Sequence, residues 1–398
     1  MSARSLAALH AISEKKTRRI IGLMSGTSLD GLDIALCSVT GHGFQTQCTI
    51  DQFITTPYTE EFCQRVRSVF AKKDGVSLEE VTLLNAIIGR THAEYILQAL
   101  KAWGEDPQAV DLIASHGQTI YHAPAWMHQR ENNPHATLQI GDGDHIAALT
   151  GIVTISDFRQ KHIAGGGEGA PLAAYGDALL LMVDHENRAL INIGGIANFT
   201  YLPSTSRSEK AFSSDVGPGN TLMDAWAQRC GLPQPYDKDA ALGRAGNVHE
   251  ALLTQALADP FFKAPFPKTT GPEYFTIDKF ISLQMKHVPE LNEAGIMATL
   301  NRLTAETIAA AVGQLPGTPH LYVSGGGAHN PLLLENLAQL LPSYVIDDTS
   351  KIGLAPDAKE AALFALLANE CVAGDPQVLE KRLQHAPAVS MGKISLPD

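Results

Sequence analysis

Residues 21–37, with the sequence IGLMSGTSLDGLDIALC, place hydroxyl and carboxylate side chains between two short apolar runs. Hydroxyls and backbone N–H groups in a glycine-punctuated turn can bind phosphate oxygens, and a carboxylate can hold Mg²⁺ directly or through water. Asp30 and Asp33 are both candidates for that metal. An ordinary hairpin with a solvated tip has a similar composition, so this segment alone leaves both interpretations open.

A second candidate for chemistry is Asp215, in the segment SSDVGPGN. No lysine or arginine within that segment can pair with it, and the proline that follows stiffens the turn. A general base requires this kind of fixed carboxylate beside the group that it deprotonates. A helix-capping or turn aspartate is the alternative interpretation.

Other polar side chains allow more than one role. His116 and His122 could form a metal pair, but at their irregular spacing ordinary hydrogen-bonded histidines are the alternative. Arg159 can contact an anion, or it can pair with Asp157 or with a helix end.

Familiar nucleotide-binding motifs are absent from the sequence. There is no GxxxxGK[ST] phosphate loop and no HRD or DFG set of a protein kinase. The glycines of GGGEGA, residues 165–170, follow a poor strand and do not open a helix, which disfavours a dinucleotide fingerprint. What remains is two glycine hairpins, at 21–37 and 190–202, followed by a strand, a glycine turn and a helix at 320–341.

Hydrophobic patterning predicts the elements that position these residues. Short apolar runs, partly β-branched, predict strands on both sides of each glycine turn. Two such units far apart in the chain indicate a duplicated α/β architecture. The last helix is expected to return and pack on the first domain. Helices are predicted at residues 59–72, 77–102, 295–314 and 357–372.

Length and composition limit the remaining possibilities. The chain has 398 residues, more than one hydrophobic core usually serves, so two domains are expected. A net charge of −12 provides no positive field to attract nucleic acid or a membrane surface. No apolar stretch is long enough to span a membrane, and residues 1–18, which lack the features of a signal peptide, are expected to form a mobile extension. The five cysteines show no CxxC spacing, which favours buried thiols in a cytoplasmic protein.

The ordered motifs of the chain resemble those of the anhydro-N-acetylmuramic acid kinase family. They span residues 21–364 and read GLMSGTSLDGLD, SHGQT, LQIGDGDHIAALTGI, DFR, GGGEGAPL, NIGGIAN, DVGPGNTLMDAW, PKTTGPEYF, SGGGAHNPLL and KEAALFA. The resemblance implies a two-domain actin-like ATPase fold, of the ribonuclease H-like α/β type, with an interdomain cleft. We expect domain I at 1–155 with 350–398, and domain II at 156–349.

The same resemblance implies an activity. ATP would drive the hydrolytic opening of the 1,6-anhydro ring of anhydro-N-acetylmuramic acid, giving N-acetylmuramic acid 6-phosphate and ADP in peptidoglycan recycling. Mg²⁺ would be the cofactor, and the enzyme would be a homodimer acting on a small amino sugar.

The resemblance also implies roles for particular residues. Asp215 takes the role of the base, and Glu360 falls where the family keeps a glutamate near the substrate, with a solvated glutamate as the alternative. Sugar or phosphate contacts are expected from His116, Gln118, Asp157 and Arg159. The ATP-binding residues are expected to be Ser25, Gly26, Thr27, Ser28, Leu29, Asp30, Gly31 and Leu32 at the phosphates, Gly194 and Gly195 in the second hairpin, and Gly325, Gly326 and Gly327 at the adenosine.

This sequence departs from the family pattern in one region. His162 replaces an aspartate, Glu168 replaces a glutamine and AAYGD replaces PAFH. These changes are expected to affect sugar preference more than reaction type. Two other functions stay open, namely a kinase of the same superfamily that phosphorylates an ordinary sugar hydroxyl, and a sugar-sensing protein without turnover.

Overall fold

The computed structural model describes residues 3–72, 74–170, 172–271, 274–288, 290–352 and 356–398. Within them the chain forms two compact units. The first unit comprises residues 1–180 and 354–398, and the second comprises residues 181–353.

Both units are built from strands and helices in alternation. The strands are β1 (Thr17–Ser25), β2 (Gly31–Thr40), β3 (Gln47–Pro57), β4 (Leu112–Ser115), β5 (Gln118–Ala123), β6 (Ala136–Ile140), β7 (Thr154–Ser156), β8 (Arg188–Ile193), β9 (Ile196–Leu202), β10 (Phe212–Pro218), β11 (His320–Ser324), β12 (Ile346–Asp348) and β13 (Lys393–Ser395). The α-helices are α1 (Ala3–Ser13), α2 (Glu60–Val69), α3 (Leu78–Trp103), α4 (Ala125–His128), α5 (Gly143–Thr150), α6 (Phe158–Ala164), α7 (Ala173–Leu181), α8 (Thr221–Arg229), α9 (Ala241–Arg244), α10 (Glu250–Leu257), α11 (Pro260–Lys263), α12 (Ile277–His287), α13 (Glu293–Val312), α14 (Pro331–Leu340), α15 (Pro356–Ala373) and α16 (Pro376–Arg382).

The main sheets of the two units share the order of five strands. In the first unit the order is β13-β7-β4-β1-β2-β3, where β1, β2 and β3 pair with one another antiparallel, β4 and β7 are parallel to β1, and β13 is an additional edge strand antiparallel to β7. In the second unit the order is β10-β9-β8-β11-β12, again with three antiparallel strands followed by two parallel ones. The predicted duplication and the predicted ribonuclease H-like α/β fold class are therefore confirmed.

The hairpin strands are apolar because both of their faces are covered. In β1 and β2 most side chains are buried, among them Ile21, Leu23 and Ile34. Helix α15 lies against β1, where a Cβ added to Gly22 would come within 1.9 Å of the Ala361 carbonyl oxygen. This packing of α15 on the first unit requires a glycine at the contact.

The division into units differs from the predicted boundary at residue 155. Residues 156–180 belong to the first unit because β7 pairs with β4 and with β13 and the following helix α6 also lies in this unit. Arg159 on α6 donates to His116, which lies just beyond β4. Strand β7, paired on both of its sides, thus holds in the first unit the segment that the sequence assigned to the second domain.

The N-terminal segment is not a mobile extension in its described part. Residues Ala3–Ser13 form α1, which lies against α15. The buried guanidinium of Arg18 donates to the carbonyl oxygens of Ile12 and Ser13, at 3.0 and 2.7 Å, and to Asn369 Oδ1 at 2.9 Å. Apolar patterning is weak here, so the sequence prediction missed the contact with α15 and the hydrogen bonds from Arg18 that hold the end of α1.

Two further expectations concern membrane-spanning helices and cysteine pairing. No helix in the described ranges has the length and apolar character needed to cross a bilayer. All five cysteines are free thiols, and Cys37 and Cys63 are buried.

Candidate active site

The turn between β1 and β2, residues 26–30, exposes its polar side chains and buries one apolar side chain. Thr27, Ser28 and Asp30 are exposed, whereas Leu29 is buried although its φ is +58°. Ser28 Oγ donates to Asp30 Oδ1 at 2.8 Å, and the N–H of Gly31 donates to the same oxygen at 3.1 Å. The turn is therefore held by its own side chains and by one apolar anchor.

Ser25, at the end of β1, supports this turn from below. Tyr58 donates its hydroxyl proton to Ser25 Oγ at 2.8 Å, and Ser25 Oγ donates to Gln118 Oε1 at 2.6 Å. All three side chains are buried. In this arrangement the Ser25 hydroxyl and the Gln118 amide face the interior and hold the hairpin, and their contacts to a ligand stay predictions.

The chain of buried hydrogen bonds continues to His92. Its Nε2 lies 3.0 Å from the Tyr58 hydroxyl, and because that hydroxyl donates to Ser25, Nε2 must carry a proton. Complete burial lowers the pKa of His92 to about 3, so the ring is neutral. His92 Nδ1 is then an acceptor with no hydrogen-bond partner among the described residues.

Asp30 and Asp33 differ in their surroundings. Asp30 is exposed on the turn, whereas Asp33 is half-buried on β2 and accepts a 2.6 Å hydrogen bond from Thr55 Oγ1. Mg²⁺ in nucleotide sites commonly takes one or two carboxylates together with substrate phosphates and waters. A carboxylate beside a turn that is expected to bind phosphate fits that requirement, although the described residues include no cluster of three or more His, Cys, Asp or Glu side chains placed to hold a metal.

His116 and Arg159 form a directed pair. Nδ1 of His116 lies 3.0 Å from the Gly117 carbonyl oxygen and donates to it, which leaves Nε2 to accept from Arg159 Nε and Nη2 at 3.2 and 3.0 Å. Burial and the Arg159 charge lower the pKa of His116 to about 3, consistent with a neutral ring. Both nitrogens are engaged, so the alternative of a His116–His122 metal pair is not supported by this geometry.

Arg159 is held on a second side by the glycine loop that follows it. Its Nη1 donates to the Gly169 carbonyl oxygen at 2.8 Å, and burial lowers its pKa to about 10. Asp157 pairs with Lys393 and not with Arg159, and its backbone has a left-handed φ of +54°. A strained aspartate of this kind is costly and is often found at functional sites.

The loop at 165–170 is organised by His162, one of the positions that departs from the family pattern. The N–H of Gly169 donates to His162 Nδ1 at 2.9 Å, and a Cβ added to Gly167 would lie 2.1 Å from the imidazole ring. Burial, followed by the charge of Arg159, lowers the pKa of His162 to about 4. Glu168, another departure, is exposed.

Glu360 on α15 interacts electrostatically with Arg159 and with Asp33. Its side chain is exposed, yet the surrounding protein removes part of its hydration and raises its pKa. The charge of Asp33 adds to that rise, whereas the charges of Lys359 and Arg159 oppose it. The charges of Asp33 and Arg159 therefore act on Glu360 in opposite directions within the first unit.

Asp215 lies in the second unit, in β10 beside a bulge between Asp215 and Gly217. The N–H of Thr270 donates to its Oδ2 at 2.8 Å, and its own N–H donates to the Lys268 carbonyl oxygen at 2.9 Å. Burial raises the pKa of Asp215, and the Thr270 N–H opposes that rise. Because α8 begins only at Thr221, the alternative of a helix-capping aspartate is excluded.

The glycine turns of the second unit meet at Asn220. The N–H groups of Gly219 and Asn220 donate to the carbonyl oxygens of Gly195 and Gly194, both at 2.8 Å. Asn220 Nδ2 donates to the Ile193 carbonyl oxygen at 3.1 Å, and a Cβ added to Gly326 would lie 3.4 Å from the same nitrogen. The second hairpin and the triple-glycine turn thus form one cluster with Asn220.

The triple-glycine turn does not open a helix directly. Residues Gly326–His329 form a 3₁₀ turn, and α14 begins at Pro331 with Asn330 as its N-cap. Gly325 has a φ of +82°, and a Cβ there would lie 2.7 Å from the Ile193 carbonyl oxygen. Packing against β8 therefore requires this glycine, which the sequence associated with adenosine alone.

Comparison with known proteins identifies the family. A profile described as anhydro-N-acetylmuramic acid kinase matches residues 18–396. A protein of that name from Pseudoalteromonas atlantica is 51% identical over 396 residues, with 98% of each chain covered. The chain belongs to the anhydro-N-acetylmuramic acid kinase family. A more distant relative of the same name, from Caldanaerobacter subterraneus, is 38% identical over 391 residues, covering 97% of this chain and 98% of its own.

Several residues that build the candidate site of this family member were not singled out by sequence reasoning. Asn220 directly follows Gly-Pro-Gly, and Lys268 and Thr270 lie in the motif PKTTGPEYF, so local signals existed for them. Tyr58 and His92 had none, because their contacts join positions that are far apart in the sequence.

Proposed function

We propose that this protein transfers the γ-phosphoryl group of ATP to O6 of 1,6-anhydro-N-acetylmuramic acid while water opens the anhydro ring. The products are N-acetylmuramic acid 6-phosphate and ADP, as expected for peptidoglycan recycling. Membership of the family over residues 18–396 carries the proposal. The half-buried carboxylate of Asp215 supports its chemistry.

Asp215 is the proposed general base. Thr270 fixes Oδ2, and Oδ1 has no hydrogen-bond partner in the part of the chain that the structure describes. Oδ1 takes a proton from water, the water oxygen bonds to C1, and the C1–O6 bond breaks with its electrons moving to O6. O6 then takes the γ-phosphoryl group, and ADP leaves. Partial burial raises the pKa of Asp215, which makes it a stronger base once it is ionised.

The first unit supplies the proposed contacts to the anionic and sugar groups. Thr27, Ser28 and the backbone N–H groups of the exposed turn bind the phosphates. Mg²⁺ neutralises phosphate charge when bound, and Asp30 or Asp33 would hold it. Arg159 contacts the substrate with a guanidinium that His116 and Gly169 hold in place.

Three further roles are proposed on the resemblance. Asp157 and Glu360 lie near the sugar. The glycine cluster of the second unit contacts the nucleotide through Gly194, Gly195 and Gly325–Gly327. We also propose a cytoplasmic homodimer. Light scattering on the purified chain tests the dimer, and a monomer at micromolar concentration would contradict it.

The reaction is tested by turnover of the anhydro sugar with ATP and Mg²⁺ in ¹⁸O-labelled water. Solvent oxygen is expected at C1 of the phosphorylated product, and unlabelled product incubated in the same water measures exchange at that carbon. A phosphorylated sugar that keeps its anhydro ring would indicate an ordinary sugar kinase. The Asp215→Asn variant is expected to lose turnover by about 10²- to 10⁴-fold while still binding sugar, and unchanged ADP release would remove Asp215 from the role of the base.

A further inference from the structure

The segment 268–270 runs beside Asp215 and contacts it at two points. The carbonyl oxygen of Lys268 accepts the Asp215 N–H at 2.9 Å, and the Thr270 N–H donates to Asp215 Oδ2 at 2.8 Å. In addition, the Lys268 N–H donates to Ser214 Oγ at 2.9 Å. Backbone and carboxylate of the proposed base are therefore both fixed by this one segment.

The segment is itself held by the Lys268 side chain. Its Nζ donates to the carbonyl oxygens of Phe261 and Phe262 at 2.8 and 3.3 Å. The ammonium also lies 4.6 Å from the centre of the Phe261 ring and 4.9 Å from that of Phe266. In the described ranges no carboxylate pairs with this ammonium, and its burial lowers the pKa of Lys268.

A half-buried cation without a carboxylate partner is costly unless other groups replace its hydration. Two carbonyl oxygens and two aromatic faces do so here, and both kinds of contact favour a cation. These groups around the ammonium, from Phe261, Phe262 and Phe266, form a socket that joins the segment 268–270 to α11. The position of Thr270 therefore depends on a contact made by the Lys268 ammonium.

We propose that Lys268 is a positioning residue for Asp215. Its ammonium, held at Phe261 and Phe262, places the Thr270 N–H against Oδ2 and leaves Oδ1 to receive the proton of water. This inference rests on the proposed function, because it assumes that Asp215 is the base.

The groups around the Asp215 carboxylate make the pH dependence of kcat/KM a test of the Thr270 hydrogen bond. Asn198, which is opposite Asp215 on β9, carries no charge, and the Lys268 ammonium is directed at the carbonyl oxygens of Phe261 and Phe262. Burial and the Thr270 N–H are the two influences on the pKa of Asp215. Loss of the Thr270 bond should therefore raise that pKa and move the acidic limb of kcat/KM to higher pH.

The test replaces Lys268 by Met, which keeps an unbranched side chain against the phenylalanines but removes the charge and the donor. We expect kcat to fall about 10- to 100-fold, KM for ATP to change little, and the acidic limb to move upward. Lys268→Arg should restore much of kcat because it keeps a cation in the socket. The control is Lys263→Met, at an exposed lysine of α11, which should match the parent protein.

Wild-type kcat and an unmoved acidic limb in Lys268→Met would overturn the inference. If that variant does not fold, Ser214→Ala replaces it, since this change removes the hydroxyl that accepts the Lys268 N–H and lies within hydrogen-bond distance of the Lys268 and Asp215 carbonyl oxygens. Ser214→Ala should move the limb in the same direction, and an unmoved limb would again overturn the inference. Asp215→Asn separates the two proposals, because substantial activity in that variant would remove the base itself, whatever Lys268 does.

Discussion

The two glycine hairpins occupy equivalent places in their sheets but are stabilised differently. Between β1 and β2 the turn is held by side chains, with Ser28 and Gly31 donating to the Asp30 carboxylate. Between β8 and β9 the turn is Gly194–Gly195. The backbone N–H groups of residues 219–221, which follow β10, donate to its carbonyl oxygens and hold it. One duplicated topology therefore presents exposed side chains in the first unit and a closely packed backbone in the second.

This difference indicates different tolerances to substitution. The first turn has room for a side chain at Gly26. The second turn is covered by Gly219, where an added Cβ would meet the backbone of residues 194, 195 and 197. A change that adds one methyl group should thus have unequal effects at these two glycines.

Gly219→Ala should be the most damaging of the changes that we predict. A Cβ there would lie 2.3 Å from the Gly194 carbonyl oxygen and 3.1 Å from the Ala197 nitrogen, so backbone must move. We expect a loss of about 1–3 kcal/mol in the free energy of unfolding, the usual range for overpacking, measured by denaturant titration.

The matched change in the first hairpin is Gly26→Ala. Its Cβ would meet nothing closer than Ser28 Oγ, at 3.3 Å, which belongs to a movable side chain. We expect a stability change within about 0.5 kcal/mol, as for surface substitutions. Equal losses in the two variants would contradict the distinction between the turn at Gly26 and the packing of Gly219 on the second turn.

Local pattern was sufficient to predict both hairpins, the helices α3 and α13, and the duplicated sheets. Local pattern could not predict the hydrogen-bonded pairs that orient functional groups, because Ser25 and Gln118 are 93 positions apart and Asp215 and Thr270 are 55 apart. Neither partner's surroundings in the sequence indicate the other. For the same reason the residue type of Ser25 predicts a phosphate contact, whereas only the fold shows that its hydroxyl donates to Gln118.

A second prediction compares how each unit fixes one functional side chain. Thr270 holds Asp215 directly, whereas His162 acts on Arg159 through Gly169, whose N–H and carbonyl contact the two side chains. His162→Ala removes the acceptor, so the loop should shift and Arg159 should lose its support. We expect kcat/KM for the anhydro sugar to fall about tenfold, equivalent to about 1.4 kcal/mol.

His162→Asn is the matched variant, because the amide oxygen of Asn can accept the Gly169 N–H in place of Nδ1. It should recover most of kcat/KM in steady-state assays. Similar losses in the Ala and Asn variants would show that the volume of the imidazole matters and the acceptor does not.

The smallest effect at neutral pH concerns the buried hydrogen-bond chain of the first hairpin. His92 has a pKa of about 3 in the folded protein, lowered by burial from an ordinary value of 6.5. The unfolded chain therefore binds more protons between these values, so His92 supports folding above about pH 6.5. As the pH falls from there toward 3, that contribution declines by up to about 1.4 kcal/mol per pH unit.

His92→Gln tests this dependence, because its amide can still donate to the Tyr58 hydroxyl but does not titrate. Urea unfolding at a series of pH values should show nearly parental stability at pH 8 and a shallower decline below pH 6.5. His10→Gln, at an exposed histidine of α1, should leave the decline unchanged. Parallel curves for His92→Gln and the parent protein would mean that the acid sensitivity of the first unit arises elsewhere, with buried His116 the next group to vary because burial also lowers its pKa to about 3.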